Sequence, residues 1–352
     1  MEASLLKVIV PAIIAFSIGI ATTPLLTYFL YRYKVWKKSG GKHAIGGHAA
    51  TEFNRIKAAG ETKTPRMGGI VIWGSVLLTV GVLHILHWLL PDNLLGSLNF
   101  VSRAQTWIPL TVLIIGGGIG FLNDFYDVTH DGRGLRLSIR LGLITVLAGT
   151  IGWWFFEKLE ITHIGFPGNG GLELGVWIIP FFVLLTLGLY ASGVIDGIDG
   201  LSGGVFAAIF SAYTGVALIN GQYDLAAFCI TMVGGILAFL WFNIPPARFW
   251  MTETGSMPLT LTLAVVVFMT DSLGGGNGVF LLPLIGLPLV ATVGSNVLQL
   301  SYRRLYGKKL FRVAPLHHHF EAIGWPSEKV TMRYWVISII CALSGVALAY
   351  LL

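Results

Sequence analysis

Residues 175–219 read GVWIIPFFVLLTLGLYASGVIDGIDGLSGGVFAAIFSAYTGVALI, two apolar runs separated by a segment rich in Gly and Asp. Each run is about as long as a helix must be to cross roughly 30 Å of hydrocarbon, whereas a barrel strand would alternate apolar and polar residues over about ten positions. Windows of the same kind fall at 4–31, 67–90, 106–122, 136–156, 175–193, 201–219, 224–243, 257–270, 279–301 and 331–352. The prediction is an all-α polytopic membrane protein of about ten transmembrane helices. Of the 352 residues, 55% are hydrophobic and 11% charged, against roughly 25% charged in a soluble domain. That balance excludes an ordinary soluble protein and a disordered one. The first apolar run is too long for a cleavable signal peptide and lacks a small-residue cleavage site, so it is expected to remain as a membrane helix.

Sidedness follows from the basic residues. Alternate loops place Lys7, Arg103 and Lys158 on one side and the remaining 20 of the 23 Lys and Arg on the other. The positive-inside rule makes the second side cytoplasmic and puts both termini outside. The loops 32–66, 123–135, 193–200, 244–256 and 302–330 then share the cytoplasmic face, and they hold nearly every acidic and histidine cluster. On the opposite side, 157–173 reads as a short external hairpin. No repeat or linker divides the chain, so 1–352 is expected to form a single transmembrane domain. Cys229 and Cys341 lie within apolar runs and suggest neither a disulfide nor a metal motif.

Four motifs carry chemistry. Asp124 and Asp127 lie three apart at the cytoplasmic end of the third run, either as solvated loop carboxylates or as binders of a divalent cation or a cationic group. Asp196 and Asp199 are again three apart, with Gly197 and Gly200 permitting close backbone approach. An acidic pair at a membrane boundary is a functional site by default. Glu253, beside Thr254, Gly255 and Ser256, either caps the eighth helix or frames a phosphate at its N-terminus. His317, His318 and His319, with Arg303, Arg304, Lys308, Lys309 and Arg312 upstream, read as a phosphate or pyrophosphate clamp or as a solvated basic loop. The Gly116–Gly118 run suits close helix packing. Carboxylates, histidines and basic loops on one face suggest Mg²⁺-assisted chemistry on a phosphate at the bilayer surface. A transporter would place its charges near the midplane instead.

These motifs resemble the phospho-N-acetylmuramoyl-pentapeptide transferases of the polyprenyl-phosphate N-acetylhexosamine-1-phosphate transferase superfamily. The matching stretches are Thr64–Gly69, Gly120–Asp124, Asp196–Leu201, Asn243–Ser256 and Ala314–Glu321, and they span nearly the whole chain. The triple histidine favours this branch over transferases that use another UDP-N-acetylhexosamine. The resemblance implies Mg²⁺-dependent transfer of phospho-MurNAc-pentapeptide from its UDP carrier to undecaprenyl phosphate, giving lipid I and UMP in the bacterial inner membrane. It implies Asp124, Asp196, Glu253 and Asn123 as catalytic positions, with Mg²⁺ held mainly by Glu253 and helped by Asp124 or Asp196. Asp199, Asn243, His317, His318, His319 and Thr64 become substrate-binding positions, with the uridine diphosphate between the 193–200 and 244–256 loops. The histidines are not expected to ligate the metal. Nucleic acid is not among the expected partners, and a homodimer is left open.

The chain departs from the family pattern at Lys63, where Gly is usual, at Asn123 and Glu253, where Asp is usual, at Gly193, where Asn is usual, and at Thr252, where Gly is usual. Asn123 cannot ionise and Glu253 is one methylene longer. Slower turnover is expected from these changes, and a silent homologue that binds nucleotide-sugar or lipid is the reading from a different class.

Overall fold

A computed structural model describes residues 2–37, 62–130, 132, 134–168, 171–271, 273 and 275–352. Most of the predicted 32–66 loop therefore lies outside the described residues. The helices are α1 (Glu2–Arg32), α2 (Ile70–Leu89), α3 (Leu94–Ser97), α4 (Trp107–Thr129), α5 (Leu137–Leu159), α6 (Ile178–Ser192) and α7 (Leu201–Ile219). They continue with α8 (Tyr223–Asn243), α9 (Thr252–Met269), α10 (Gly278–Ile285), α11 (Leu287–Tyr306), α12 (Leu316–Ala322) and α13 (Ser327–Leu351). Among the described residues nine helices are long and apolar enough to span a membrane, and α10 with α11 forms a tenth, bent span. The chain is an all-α multi-pass membrane protein.

The bundle is built around α9, in which every residue from Thr254 to Met269 is buried. Helices α4, α6, α2 and α7 surround it, while α1 packs outside on α8. An α9 of this length spans about 27 Å at 1.5 Å per residue, so its ends mark the two ends of the bundle. Near its far end, Phe155, Phe182 and Phe268 cluster with ring centroids 4.8–5.3 Å apart. Beyond that end the short hairpin of β1 (His163–Ile164) and β2 (Leu172–Glu173) forms within the 157–173 segment. The buried Asp271 carboxylate anchors it by accepting the Gly165 amide at 2.6 Å.

At the near end, glycines decide how closely α4 approaches α9. A Cβ at Gly116 would lie 3.0 Å from Pro258 Cα, and one at Gly120 would lie 2.2 Å from the Glu253 carbonyl oxygen. These two residues are four apart and share a helix face. Gly117 packs on the Trp73 ring, whereas Gly118 faces open space. Gly120→Ala is expected to force the two backbones apart at a cost of roughly 1–3 kcal/mol. It should lower the melting temperature in detergent. An unchanged melting temperature would refute the close packing.

Three differences from the hydropathy windows bear on the site and its scaffold. Helix α4 runs on through Thr129, because Asn123, Asp124 and Asp127 are buried and bonded to protein groups and do not end the helix in water. Helix α9 begins at Thr252, five residues before its apolar window. The ninth span is broken by 72° between Ile285 and Leu287. Pro283 and Pro288 flank that break, each removing a backbone donor.

Candidate active site

Chain segments from across the sequence meet at the N-terminus of α9. The 64–69 stretch lies along residues 250–252: Trp250 donates to the Pro65 carbonyl at 2.8 Å, Gly68 to the Trp250 carbonyl at 2.8 Å and the Met67 amide to Thr252 Oγ1 at 3.2 Å. A Cβ at Gly69 would stand 2.2 Å from Gly255 Cα, so the glycine lets this stretch sit directly on the helix. Thr64 is half-buried at its start. Thr252 itself has φ +54°, a left-handed conformation that costs a β-branched residue energy.

Two carboxylates from other parts of the chain hold Thr252 in place. Asp124, fully buried, accepts the Thr252 hydroxyl at 2.5 Å, the Thr254 amide at 2.8 Å and the Thr254 hydroxyl at 2.6 Å. Asp196 accepts the Thr252 amide at 2.9 Å and the Ser202 hydroxyl at 2.7 Å. First-turn amides of a helix have no partner within it, and negative charge there is favoured by the helix dipole. Asp124 and Asp196 are thus caps supplied from outside the helix. The sequence reading had Glu253 as cap or the turn as phosphate frame. Instead, the amides of residues 252 and 254 already serve Asp196 and Asp124.

Glu253 turns outward. One carboxylate oxygen, Oε1, pairs with Arg140 from α5 and lies 3.5 Å from the Tyr190 hydroxyl. Oε2 bonds to none of the described residues, and the side chain is one-quarter exposed. Asn123 is buried and used locally: Oδ1 accepts the Leu135 amide at 3.0 Å and Nδ2 points to Asp124 at 3.4 Å. Arg66 lies 3.1 Å from Asp127 and 3.6 Å from Asp124, so it is the cationic group on the face that carries those two aspartates.

The Asp196–Gly200 turn meets α12. Cβ atoms built at Gly197 would lie 2.7 Å from His317 Nε2 and 2.6 Å from His318 Nε2, so both rings press against its bare Cα. His318 Nδ1 is 2.7 Å from Glu321, which also accepts the Ser327 hydroxyl at 2.5 Å. That pairing fixes the ring so that Nε2 faces the turn. His319 lies outside the cluster, and its Nδ1 accepts the Arg312 amide at 3.3 Å. Asn243 uses both halves of its amide between loops, accepting Gly200 N–H at 2.9 Å and donating to the Phe249 carbonyl at 2.8 Å. Asp199 accepts the Ala247 amide and the Trp250 indole at 3.2 and 3.1 Å. A cavity of about 320 Å³ opens beside Asp199, lined also by Pro245, Pro246, Ser327 and Glu328.

Residues 106–271 match the family described as glycosyl transferase family 4. Over 95% of both chains, the protein is 33% identical to a phospho-N-acetylmuramoyl-pentapeptide-transferase of Geobacillus sp. (strain WCH70). A protein of the same name from Anoxybacillus flavithermus is 32% identical over 95% of both chains, and one from Chloroflexus aurantiacus is 30% identical over 89% of this chain and 84% of its own. The chain belongs to the phospho-N-acetylmuramoyl-pentapeptide-transferase family. That makes it a phosphoglycosyl transferase by kinship.

Within this transferase, sequence assigns no role of their own to Arg140, Tyr190, Thr254 and Trp250, although Thr254 and Trp250 lie in the Asn243–Ser256 stretch. Arg140 was legible: it is a charge inside the apolar run of α5, and such charges mark function or a partner. Tyr190, Thr254 and Trp250 carry no comparable signal, since each is an ordinary residue of an apolar or turn segment. The upstream cations separate from the histidines: among the described residues only Arg312 bonds to α12, through its amide to His319 and its guanidinium to the Ala322 carbonyl.

Proposed function

We propose that the protein transfers phospho-MurNAc-pentapeptide from its UDP carrier to undecaprenyl phosphate at the cytoplasmic face of the bacterial inner membrane, forming lipid I and UMP with Mg²⁺. The observation that carries this reading is the convergence of Asp124, Asp196 and Glu253 with the His317–His318 pair at one end of the bundle, in a member of this family. The basic loops on that side of the hydropathy plot support the cytoplasmic orientation.

Among the described residues no three His, Cys, Asp or Glu side chains group as a metal site, so a magnesium ion would rest on one or two of these carboxylates. Mg²⁺ keeps most of its water and takes one or two protein carboxylates alongside substrate phosphates. Glu253, with Oε2 open, is the residue that would hold it, while Asp124 is committed to the Thr254 amide and the Thr252 and Thr254 hydroxyls and Asp196 to the Thr252 amide and the Ser202 hydroxyl. When bound, the ion neutralises charge on the phosphate oxygens. The protein's own groups do the rest. Asp124 and Asp196 fix the 252–254 turn and hence the direction of Glu253. The Glu321-paired His318 holds Nε2 against the 196–200 turn, beside which the pyrophosphate would lie. Asp199 and the adjacent cavity take the nucleoside end of the donor, with Asn243 holding the two loops together behind it.

The direct test is UMP release from UDP-MurNAc-pentapeptide with undecaprenyl phosphate and Mg²⁺. No release under conditions where a relative turns over refutes the catalytic reading. Asp199→Ala and His318→Ala are each expected to weaken donor binding about tenfold, the scale of one charge-assisted hydrogen bond. Parent-like affinity in both variants places the donor elsewhere. A second reading, a family member that binds the donor without turnover, is favoured by Arg140 on Glu253 and by the un-ionisable Asn123. It predicts donor binding with no UMP.

A further inference from the structure

The basic run that the histidine cluster leaves out has its own architecture. Between Ser295 in α11 and His317 in α12 no residue is buried. Over this length α11 stands clear of the bundle, with Val297, Leu298, Leu300 and Leu305 exposed. In a membrane-spanning chain these are lipid-facing side chains. The helix ends at Gly307, whose φ of +67° and amide bond to the Arg303 carbonyl form a left-handed cap. Gln299 then pulls the following loop back along the helix. Its Oε1 accepts the Leu310 and Phe311 amides at 3.0 and 2.8 Å, and its Nε2 donates to the Phe311 carbonyl at 3.1 Å.

The cap and the clamp hold Arg303, Arg304, Lys308 and Lys309 on one exposed turn. Among the described residues none of the four has an ion-pair partner. The sequence supplies none nearby, since no Asp or Glu occurs from Ser272 to Phe320. Beside them Tyr302 and Tyr306 pack ring against ring with centroids 4.7 Å apart, and Tyr306 is 64% exposed. Val297, Leu298 and Leu300 come first along α11, then the tyrosines and the cations that have no ion-pair partner among the described residues, with Leu305 between them, which is the order of a bilayer from acyl chains to headgroups.

We propose that the end of α11 and the 307–312 turn form a docking surface for anionic bilayer phospholipids, separate from the site where the substrates react. Charge complementarity selects the occupant. Four unpaired cations over exposed leucines match an acidic headgroup on an acyl chain better than a second copy of this basic chain or a soluble anion. Each Lys or Arg close to an anionic surface is worth roughly a fivefold preference, and salt weakens it.

The test uses the full-length protein in bilayers with spin-labelled phosphatidylglycerol or phosphatidylcholine, reading how many labels the protein immobilises. The parent should select phosphatidylglycerol at least about fivefold, the preference of a single cation at the surface, and lose most of that preference in about 0.5 M salt. The variant Arg303→Gln, Arg304→Gln, Lys308→Gln, Lys309→Gln should show no preference at low salt. Arg303→Lys with Arg304→Lys should keep it, because charge and not guanidinium geometry is what matters here. A parent without selectivity, or a quadruple variant that retains it, overturns the proposal. So does displacement of labelled phosphatidylglycerol by stoichiometric undecaprenyl phosphate, which would assign the surface to the reacting lipid. If the quadruple variant fails to fold, the parent's salt titration and the lysine variant decide the matter.

Discussion

Asp124→Ala is expected to lower turnover by about 10²-fold and loosen the fold together. Its carboxylate accepts the Thr254 amide and both the Thr252 and Thr254 hydroxyls in a fully buried setting. Removing it strands those donors at about 1–3 kcal/mol for each group left unsatisfied. It also frees Arg66 from one of its two aspartates. The melting temperature should fall by roughly 5 °C or more. Thr252 would no longer be held in its left-handed conformation, and Glu253 would shift with it. A displacement of about 1 Å at a reacting group can cost roughly 10²-fold in rate. Asp124→Asn, which keeps one acceptor oxygen, should lose less stability than Asp124→Ala. An alanine variant that melts and releases UMP like the parent would falsify the capping role.

The second large effect is a gain. Asn123→Asp combined with Glu253→Asp should raise the rate of UMP release at saturating donor by about 10²-fold, while the Michaelis constant for the donor moves less than about threefold. The lost interactions then belong to the transition state and not to donor binding. Two arrangements motivate this. The longer Glu253 side chain reaches Arg140, not the space beside Asn123, so it does not replace a missing carboxylate there. Asn123 meanwhile spans the Leu135 amide and Asp124. An aspartate at 123 would keep the first bond and place a second negative charge next to Asp124. Each single reversion should recover less than half of the combined logarithmic gain, since both positions border Asp124 and couple. A parent already turning over at about 1 s⁻¹ or faster, or a double variant slower than the parent, contradicts the expectation.

Much of the fold was legible because a membrane imposes a length rule that sequence satisfies locally. Ten apolar windows gave ten spans, and the positions of Lys and Arg gave a testable orientation without reference to any contact. The acidic pairs at 124 and 127 and at 196 and 199, and the histidine triplet, were also visible, because charge beside a membrane is expensive and therefore conspicuous. What those residues do to one another was not. Asp124 and Asp196 lie 72 residues apart, yet both hold Thr252. No spacing rule reports that a helix N-terminus will borrow its caps from two other segments.

Glu253 shows the division most plainly. The sequence marked it as an acidic residue at the head of an apolar helix and could not choose between a cap and a ligand. The tertiary structure decided by occupancy: Asp124 and Asp196 already take the amides of α9, so Glu253 is left facing outward, with Arg140 on one oxygen and the other open. The basic run at 303–312 was likewise read as part of a clamp because it adjoins the histidines in sequence. Gly307 and Gln299 set the turn that follows α11, and among the described residues Arg303, Arg304, Lys308 and Lys309 bond to none of the histidines while Arg312 alone reaches α12. Sequence determined the spans and the chemical inventory of the site, since burial of apolar length and the cost of charge act residue by residue. Tertiary structure alone determined which carboxylates are scaffolding and which is available, because a hydrogen-bond donor satisfied by one partner is closed to every other.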